Sequence, residues 1–138
     1  MIKRIVVGTD GSDTATEAVR QAIELTASLN GELHILSSYV TAMADVDKLR
    51  ADYQPGETAS SVLDDAQKMA QDGGVTVITH QGAADPAEAL LELAESIDAD
   101  LLIVGNRGMR GPKRFFLGSV PNAVAAHAPC AVMIVKTT

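Results

Sequence analysis

A segment rich in glycine and basic residues, 105–119, contains the residue types best suited to holding a phosphate group. Its sequence is GNRGMRGPKRFFLGS. Glycine lets the backbone take positive φ and approach a ligand closely, and successive N–H groups in such a loop form a concave anion site. A helix predicted to begin at Ser119 adds the unpaired N–H groups of its first turn and the positive end of its dipole. The pattern therefore favours phosphate binding.

The charge distribution supports the same interpretation. Arg107, Arg110, Lys113 and Arg114 lie within eight positions, whereas the rest of the chain has seven basic residues against 18 acidic ones. A local basic cluster on an acidic protein attracts anions. The alternative is a solvated loop whose glycines only form turns, and the residues alone leave both interpretations open.

Asp10 is the second candidate, because it follows the first apolar run of the chain. A carboxylate repels phosphate, so Asp10 would accept hydrogen bonds from ribose hydroxyls or an adenine amino group, or hold Mg²⁺. The alternative is that Asp10 caps the next helix or turn together with Ser12 and Asp13. Both roles remain open at this point.

Five apolar runs predict the strands that must position these residues. They are Ile5–Val7, Leu33–Leu36, Val75–Ile78, Leu101–Val104 and Ala131–Val135. Most are continuous rather than alternating, which is typical of parallel strands buried on both faces.

Four helical patterns separate the runs. Thr14 and Glu17 form a capping box for the first helix, and the second has apolar residues at helical spacing from Ala59 to Ala70. The third begins with Asp85 as N-cap before Pro86, and the fourth runs from about Ser119 to His127. The alternation predicts an α/β fold of Rossmann-like type: one domain with a doubly wound, five-stranded parallel sheet, order 3-2-1-4-5, and helices on both faces.

In such a sheet, ligands bind at the carboxyl ends of the strands where the winding direction reverses, here strands one and four. Residues 39–56 have no clear period, and a loop of this length is usually functional or disordered. We expect a flap near the site there, either mobile or disordered without ligand.

Composition excludes several classes of function. The net charge of −7 argues against nucleic acid or an anionic membrane as partner, and no apolar stretch reaches the ~20 residues of a membrane helix. The core must be aliphatic, since there is no Trp and only four aromatic residues. With no signal peptide pattern and a single cysteine, Cys130, which is expected to be a buried inert thiol, a cytoplasmic location is predicted.

No catalytic or metal-binding residue can be assigned. His34, His80 and His127 lack metal-ligand spacing, and neither a P-loop nor a dinucleotide-binding fingerprint is present. The third strand is expected to end before His80, with no acid after it as a phosphoacceptor domain would need. Because no nucleophile–base pair is evident, an enzyme is not expected, and weak ATP hydrolysis is kept only as an alternative.

Gly105-x2-Gly108-x9-Gly118-Ser119 resembles the ATP-binding signature G-x2-G-x9-G-(S/T) of universal stress proteins. The opening run from Ile5 to Ser12, the run from Leu101 to Gly105 and the closing run from Pro129 to Val135 are also similar to that family's strands. The resemblance covers nearly the whole chain. It implies one universal stress protein domain over residues 1–138 that acts as a sensor or regulator in the stress response.

The resemblance also implies residue roles around an adenine nucleotide. Gly105, Arg107 and Gly108 would line the phosphates and ribose, and Gly118, Ser119 and Val120 would hold the phosphates at the helix start. Thr9 and Asp10 would face the adenosine end from the loop after the first strand. The backbone of Val40, just past the second strand, would meet the adenine. ATP, with Mg²⁺ as an optional companion, is the first ligand implied. Pro121 departs from the family pattern because it has no N–H for a phosphate, so AMP or cAMP is the alternative.

The last strand, 131–135, is apolar and would lie at a sheet edge. Bare apolar edges pair readily, and the resemblance implies a homodimer through this strand. A dimer that serves only for interaction and binds no nucleotide is the other hypothesis.

Overall fold

The computed structural model describes residues 1–38, 55–106 and 118–137, with the side chains of 55–58 left aside. Within these ranges the strands are β1 (Arg4–Gly8), β2 (Glu32–Ser38), β3 (Thr76–Gly82), β4 (Leu101–Gly105) and β5 (Ala131–Val135). The helices are α1 (Asp13–Leu29), α2 (Pro55–Asp72), α3 (Pro86–Ser96) and α4 (Ser119–His127).

The strands form one parallel sheet in the order β3-β2-β1-β4-β5, which confirms the predicted fold. Val7 of β1 lies beside Ile35 of β2 and Ile103 of β4. Because all strands run in the same direction, the segments that follow β1 and β4 both leave the sheet at the carboxyl ends of its strands. The neighbouring pair β1 and β4 is also where the order reverses, as the sequence predicted.

Two apolar layers lie on opposite faces of the sheet. Ile5 and Val7 pack with α1 and α2 on one face, and Val6 packs with α3 and α4 on the other. All three side chains are fully buried. Burial on both faces explains why β1 is continuously apolar rather than alternating.

The start of α1 differs from the prediction. The N-cap is Ser12, whose Oγ accepts a hydrogen bond from the Ala15 amide at 3.2 Å. Glu17 therefore lies beyond the first turn, and it pairs with Arg20 instead, Nη2 to Oε1 at 2.6 Å. The predicted capping box of Thr14 and Glu17 is wrong, because the serine two positions earlier takes the capping role.

Two further boundaries also differ. The predicted 39–56 segment overlaps α2, which begins at Pro55, and residues 39–54 lie outside the described ranges. Strand β3 begins one residue later than predicted, since the Val75 amide bonds to the Ala70 carbonyl at 3.2 Å. At its other end the strand continues through Gly82. His80 is thus within the strand, paired in register with Leu36. The end of β3 is polar because this strand forms an edge and is only partly buried.

No helix in the described ranges combines the length and the apolar character needed to cross a membrane. The predicted cytoplasmic location stays a prediction.

Candidate functional site

A cavity of about 240 Å³ opens at the carboxyl ends of β1 and β4. This is slightly below the roughly 300–1,000 Å³ typical of small-molecule sites. Six segments contribute to its wall: the end of β1 with the loop that follows, the first turn of α1, the end of β2, the first turns of α3, the end of β4 and the first turn of α4. We call it the site cavity. It lies where the sequence predicted a ligand.

The loop after β1 is held in shape by its own side chains. The Thr9 amide donates to the Leu36 carbonyl at 3.0 Å, and the Gly11 amide donates to Oγ1 of Thr9 at 3.1 Å. Gly11 has φ +83°, and a Cβ there would lie 2.8 Å from Cγ2 of Val62. Only glycine fits this turn without strain.

Asp10 makes the turn contact that was the alternative to ligand binding, and its role toward a ligand stays a prediction. It lines the site cavity, and its Oδ1 accepts a hydrogen bond from the Ser12 amide at 2.9 Å. The carboxylate thus shapes the turn that precedes α1. A carboxylate can accept more than one hydrogen bond, so this contact leaves Asp10 capacity toward the cavity.

The start of α4 presents backbone donors to the same cavity. Gly118 is the N-cap and has no side chain with which to cap the helix; its amide donates to the Asn106 carbonyl at 3.0 Å. Pro121 has no N–H, and the Asn122 amide bonds to the Gly118 carbonyl at 3.1 Å. The amides of Ser119 and Val120 are thus left without an acceptor inside the helix, and both residues line the site cavity.

Two glycines in the cavity wall differ in the space around them. A Cβ on Gly8 would lie 2.9 Å from Cδ1 of Leu90, so the Leu90 side chain would have to shift to admit it. A Cβ on Gly105 would lie 3.6 Å from Cγ2 of Thr137, which is an ordinary contact. The described packing therefore tolerates a side chain at position 105, whereas one at position 8 would displace Leu90.

The structure brings together six of the nine predicted site residues, and these line the site cavity: Thr9, Asp10, Gly105, Gly118, Ser119 and Val120. Val40, Arg107 and Gly108 lie outside the described residues, as do the other three members of the basic cluster. Among the described residues that line the site cavity, Asp10 is the only one with a charged side chain.

Several lining residues were not identified from the sequence. Leu36, Leu90 and Val104 form an apolar part of the wall, and Ser38 adds a hydroxyl at the end of β2. Ser38 Oγ donates to the Ala84 carbonyl, which ties β2 to the segment before α3. A sequence signal was present for Ser38, since it lies at the carboxyl end of a strand, which is where ligands were expected to bind. Leu90 had no such signal, because its apolar stripe indicates only that it is buried.

The histidines predicted to be scattered are partly in contact. Nδ1 of His34 lies 2.9 Å from Nε2 of His80, and Nε2 of His34 lies 2.9 Å from Oε1 of Glu32. The neighbouring strands β2 and β3 bring them together. Within the described ranges, no group of three or more histidine, cysteine or acidic residues is arranged to hold a metal ion.

Cys130 lies just before β5 and is half-buried rather than buried as predicted. Burial raises the pKa of its thiol, with a further contribution from the charge of Asp100. A raised pKa leaves less of the reactive thiolate at neutral pH, which agrees with the predicted inert thiol.

A model of the universal stress protein family matches residues 1–136. The universal stress protein Rv1636 of Mycobacterium tuberculosis is 37% identical over 143 residues, which cover 99% of this chain and 97% of that protein. The universal stress protein MJ0531 of Methanocaldococcus jannaschii is 33% identical over 141 residues, covering 99% of this chain and 83% of that protein.

Solved structures show the same likeness. A universal stress protein in complex with cAMP is 34% identical, with a TM-score of 0.79 and coverage of 99% of this chain and 98% of that chain. The protein MJ0577 is 25% identical, with a TM-score of 0.81 and coverage of 100% and 98%. The signature spacing, the strand order and these matches agree along almost the whole length. The chain therefore belongs to the universal stress protein family.

Proposed function

We propose that this protein binds an adenine nucleotide in the site cavity. The observation that carries the proposal is that Ser119 and Val120, whose amides have no acceptor within α4, line one cavity with Thr9 and Asp10 at the sheet's switch point. A helix N-terminus with unpaired amides is suited to a phosphate. The 34% identical universal stress protein solved with cAMP gives independent support.

The cavity's chemistry suggests an orientation for the ligand. The phosphate would accept hydrogen bonds from the amides at the start of α4, where the dipole favours negative charge. Asp10 would accept from the ribose hydroxyls, because its own charge disfavours the phosphate end. The apolar wall of Leu36, Leu90 and Val104 suits the flat faces of a base. Val40, Arg107 and Gly108 keep the roles that the family resemblance implies.

Two observations bear on how many phosphates the ligand has, and they favour different ligands. Pro121 reduces the donors at the α4 start to the amides of Ser119 and Val120, which fits a ligand with one phosphate such as cAMP or AMP. The four basic residues between Arg107 and Arg114 would neutralise a triphosphate, which favours ATP with or without Mg²⁺. We place cAMP or AMP first, because Ser119 and Val120 are among the described residues that line the cavity, whereas the four basic residues lie outside the described ranges.

Calorimetry tests the proposal directly. The protein is titrated with cAMP, AMP, ADP and ATP, each with and without Mg²⁺, and with GTP as a control for the base. We expect saturable binding of at least one adenine nucleotide and weaker binding of GTP. Absence of heat and of a melting shift with every adenine nucleotide would overturn the proposal.

The biological role we propose is that of a nucleotide-dependent sensor or regulator rather than an enzyme. No general base is assignable among the described residues that line the cavity, apart from the single carboxylate of Asp10. Timed release of phosphate from ATP tests this directly, and steady turnover that Asp10→Ala abolishes would establish a weak ATPase instead.

Self-association is the second part of the proposal. Strand β5 lies at the edge of the sheet, and Val132, Met133 and Ile134 are only partly buried. A second copy of the chain could pair with this edge and cover it. If no nucleotide binds, a dimer that acts only through protein contacts is the function left by these observations.

A further inference from the structure

Asn106 is a junction between three segments of the chain. It follows β4 directly, and its amide donates to the Val135 carbonyl of β5 at 2.8 Å. Its carbonyl accepts from the Gly118 amide at 3.0 Å, at the N-cap of α4. Its side-chain Oδ1 accepts from both the amide and Oγ1 of Thr137, at 2.8 and 2.9 Å. One residue thus joins β4, the start of α4 and the end of the chain after β5.

Asn106 is connected to the site cavity through the backbone at the start of α4. The bond from Gly118 fixes the point at which α4 begins, and the amides of Ser119 and Val120 follow at once. The bonds from Thr137 fix the side chain of Asn106 against the segment that follows β5. Asn106 and Thr137 themselves are not among the described residues that line the site cavity. Their effect on a ligand must therefore pass through the backbone that they hold.

We propose that Asn106 is a positioning residue for the nucleotide site, and that Thr137 is the partner through which it acts. This inference rests on the proposed function. The side chain of Asn106 anchors Asn106 itself to Thr137, and the backbone carbonyl of Asn106 in turn holds the Gly118 amide, so that the donor amides are in place before the ligand arrives. A site that is already ordered loses less entropy on binding and so binds more tightly.

The residue type fits this role. Oδ1 serves two donors at once, and an amide oxygen has two lone pairs for that purpose. In Asn106→Ala the amide and hydroxyl of Thr137 both lose the acceptor that Oδ1 provides. Thr137→Val removes only the hydroxyl donor and leaves the backbone donor in place.

Binding of cAMP and ATP to the full chain tests the inference. We expect Asn106→Ala to weaken binding of whichever nucleotide the wild type binds by about tenfold or more, because the start of α4 is then less ordered before the ligand arrives. Thr137→Val should weaken it by a smaller factor. The double variant should bind no worse than Asn106→Ala alone, because the two side chains act through one contact.

Thr26→Val is the matched stability control. It removes the buried hydrogen bond from Oγ1 of Thr26 to the Ala22 carbonyl. This bond lies near the C-terminal end of α1, whereas the cavity lies at the first turn of that helix. We expect its affinity to equal that of the wild type despite lower stability. If Asn106→Ala binds like Thr26→Val while the wild type binds, the inference is wrong and the proposed function stands.

Amide hydrogen exchange gives a test that needs no ligand. We expect faster exchange of the Gly118 amide in Asn106→Ala and a smaller change in Thr137→Val. Unchanged exchange of Gly118 in a folded Asn106→Ala variant would overturn the inference. If Asn106→Ala does not fold, the same two measurements are made on Thr137→Val. If the wild type binds no nucleotide, the proposed function fails and the inference falls with it.

Discussion

His34 and His80 share a hydrogen bond between neighbouring strands, with Nδ1 of His34 2.9 Å from Nε2 of His80. Glu32 lies on the other side of His34, its Oε1 2.9 Å from Nε2. A carboxylate only accepts hydrogen bonds, so Nε2 of His34 donates to Glu32, and Nδ1 of neutral His34 accepts from His80. Arg4 is the remaining charged group in this chain of contacts, with Nε 3.5 Å from Oε1 of Glu32.

This arrangement makes stability depend on pH. Burial, and then repulsion from His34 whenever that ring is protonated, lowers the pKa of His80 in the folded protein. The unfolded chain keeps a pKa near 6.5, so it binds the proton more readily than the folded one. We expect the free energy of unfolding to be greatest above pH 7 and to fall as the pH drops through about 6.5. Urea denaturation between pH 8 and pH 5.5 measures it.

The control for that experiment is the third histidine. His127 is exposed at the end of α4, so His127→Gln should keep the pH dependence, whereas His80→Gln should flatten it. An unchanged slope in His80→Gln would show that other groups cause the effect.

Gly118 offers a test in which stability and binding change in opposite directions. Its φ of −68° is open to any residue, and Asp is a good N-cap whereas Gly is only slightly worse. In Gly118→Asp the carboxylate would accept from the Val120 amide and occupy the anion position. We expect the ligand-free protein to gain roughly a few tenths of a kcal/mol and nucleotide binding to be lost. Thermal melting and calorimetry together measure both effects.

The steric counterpart is Gly118→Val, which introduces no charge and should also abolish binding by blocking the close approach of the ligand. Gly105→Ala serves as a comparison for folding, because its Cβ meets only ordinary contacts. Full affinity in both Gly118 variants would show that the phosphate does not lie at the start of α4.

Asp10 separates the adenosine end from the phosphate end. Asp10→Ala should weaken cAMP, AMP and ATP, each by about tenfold, since the hydrogen bond that a ribose hydroxyl donates to the charged carboxylate is lost. Asp10→Asn can still accept from the Ser12 amide and so keeps the turn. Affinity in Asp10→Asn equal to that of the wild type would mean that the turn alone is the role of Asp10. By contrast, Arg107→Ala should weaken ATP most, because ATP has the most charge.

The sequence was a good guide where burial or a local residue preference decides the structure. The run from Ile5 to Val7 is apolar because both sheet faces are buried, and α4 begins at Ser119 because a glycine precedes it. It was a poor guide where distant residues decide. His80 falls in a polar edge strand, and Asn106 acquires its role only when Thr137 and Gly118 are brought to it by the fold. The capping error at Thr14 arose because Ser12, two positions earlier, is an equally good N-cap residue and takes that role.

The apolar edge of β5 provides the last test. Val132 and Ile134 are partly buried on the α3 and α4 side of the sheet, and a charge there would be buried by a second copy at high cost. We expect the wild type to have the mass of a dimer by light scattering and Ile134→Asp to be monomeric or aggregated. Ile78→Asp is the matched control, since Ile78 is 42% exposed on the opposite edge strand β3. A dimer that survives Ile134→Asp but not Ile78→Asp would move the interface to β3, and a monomeric wild type would remove it.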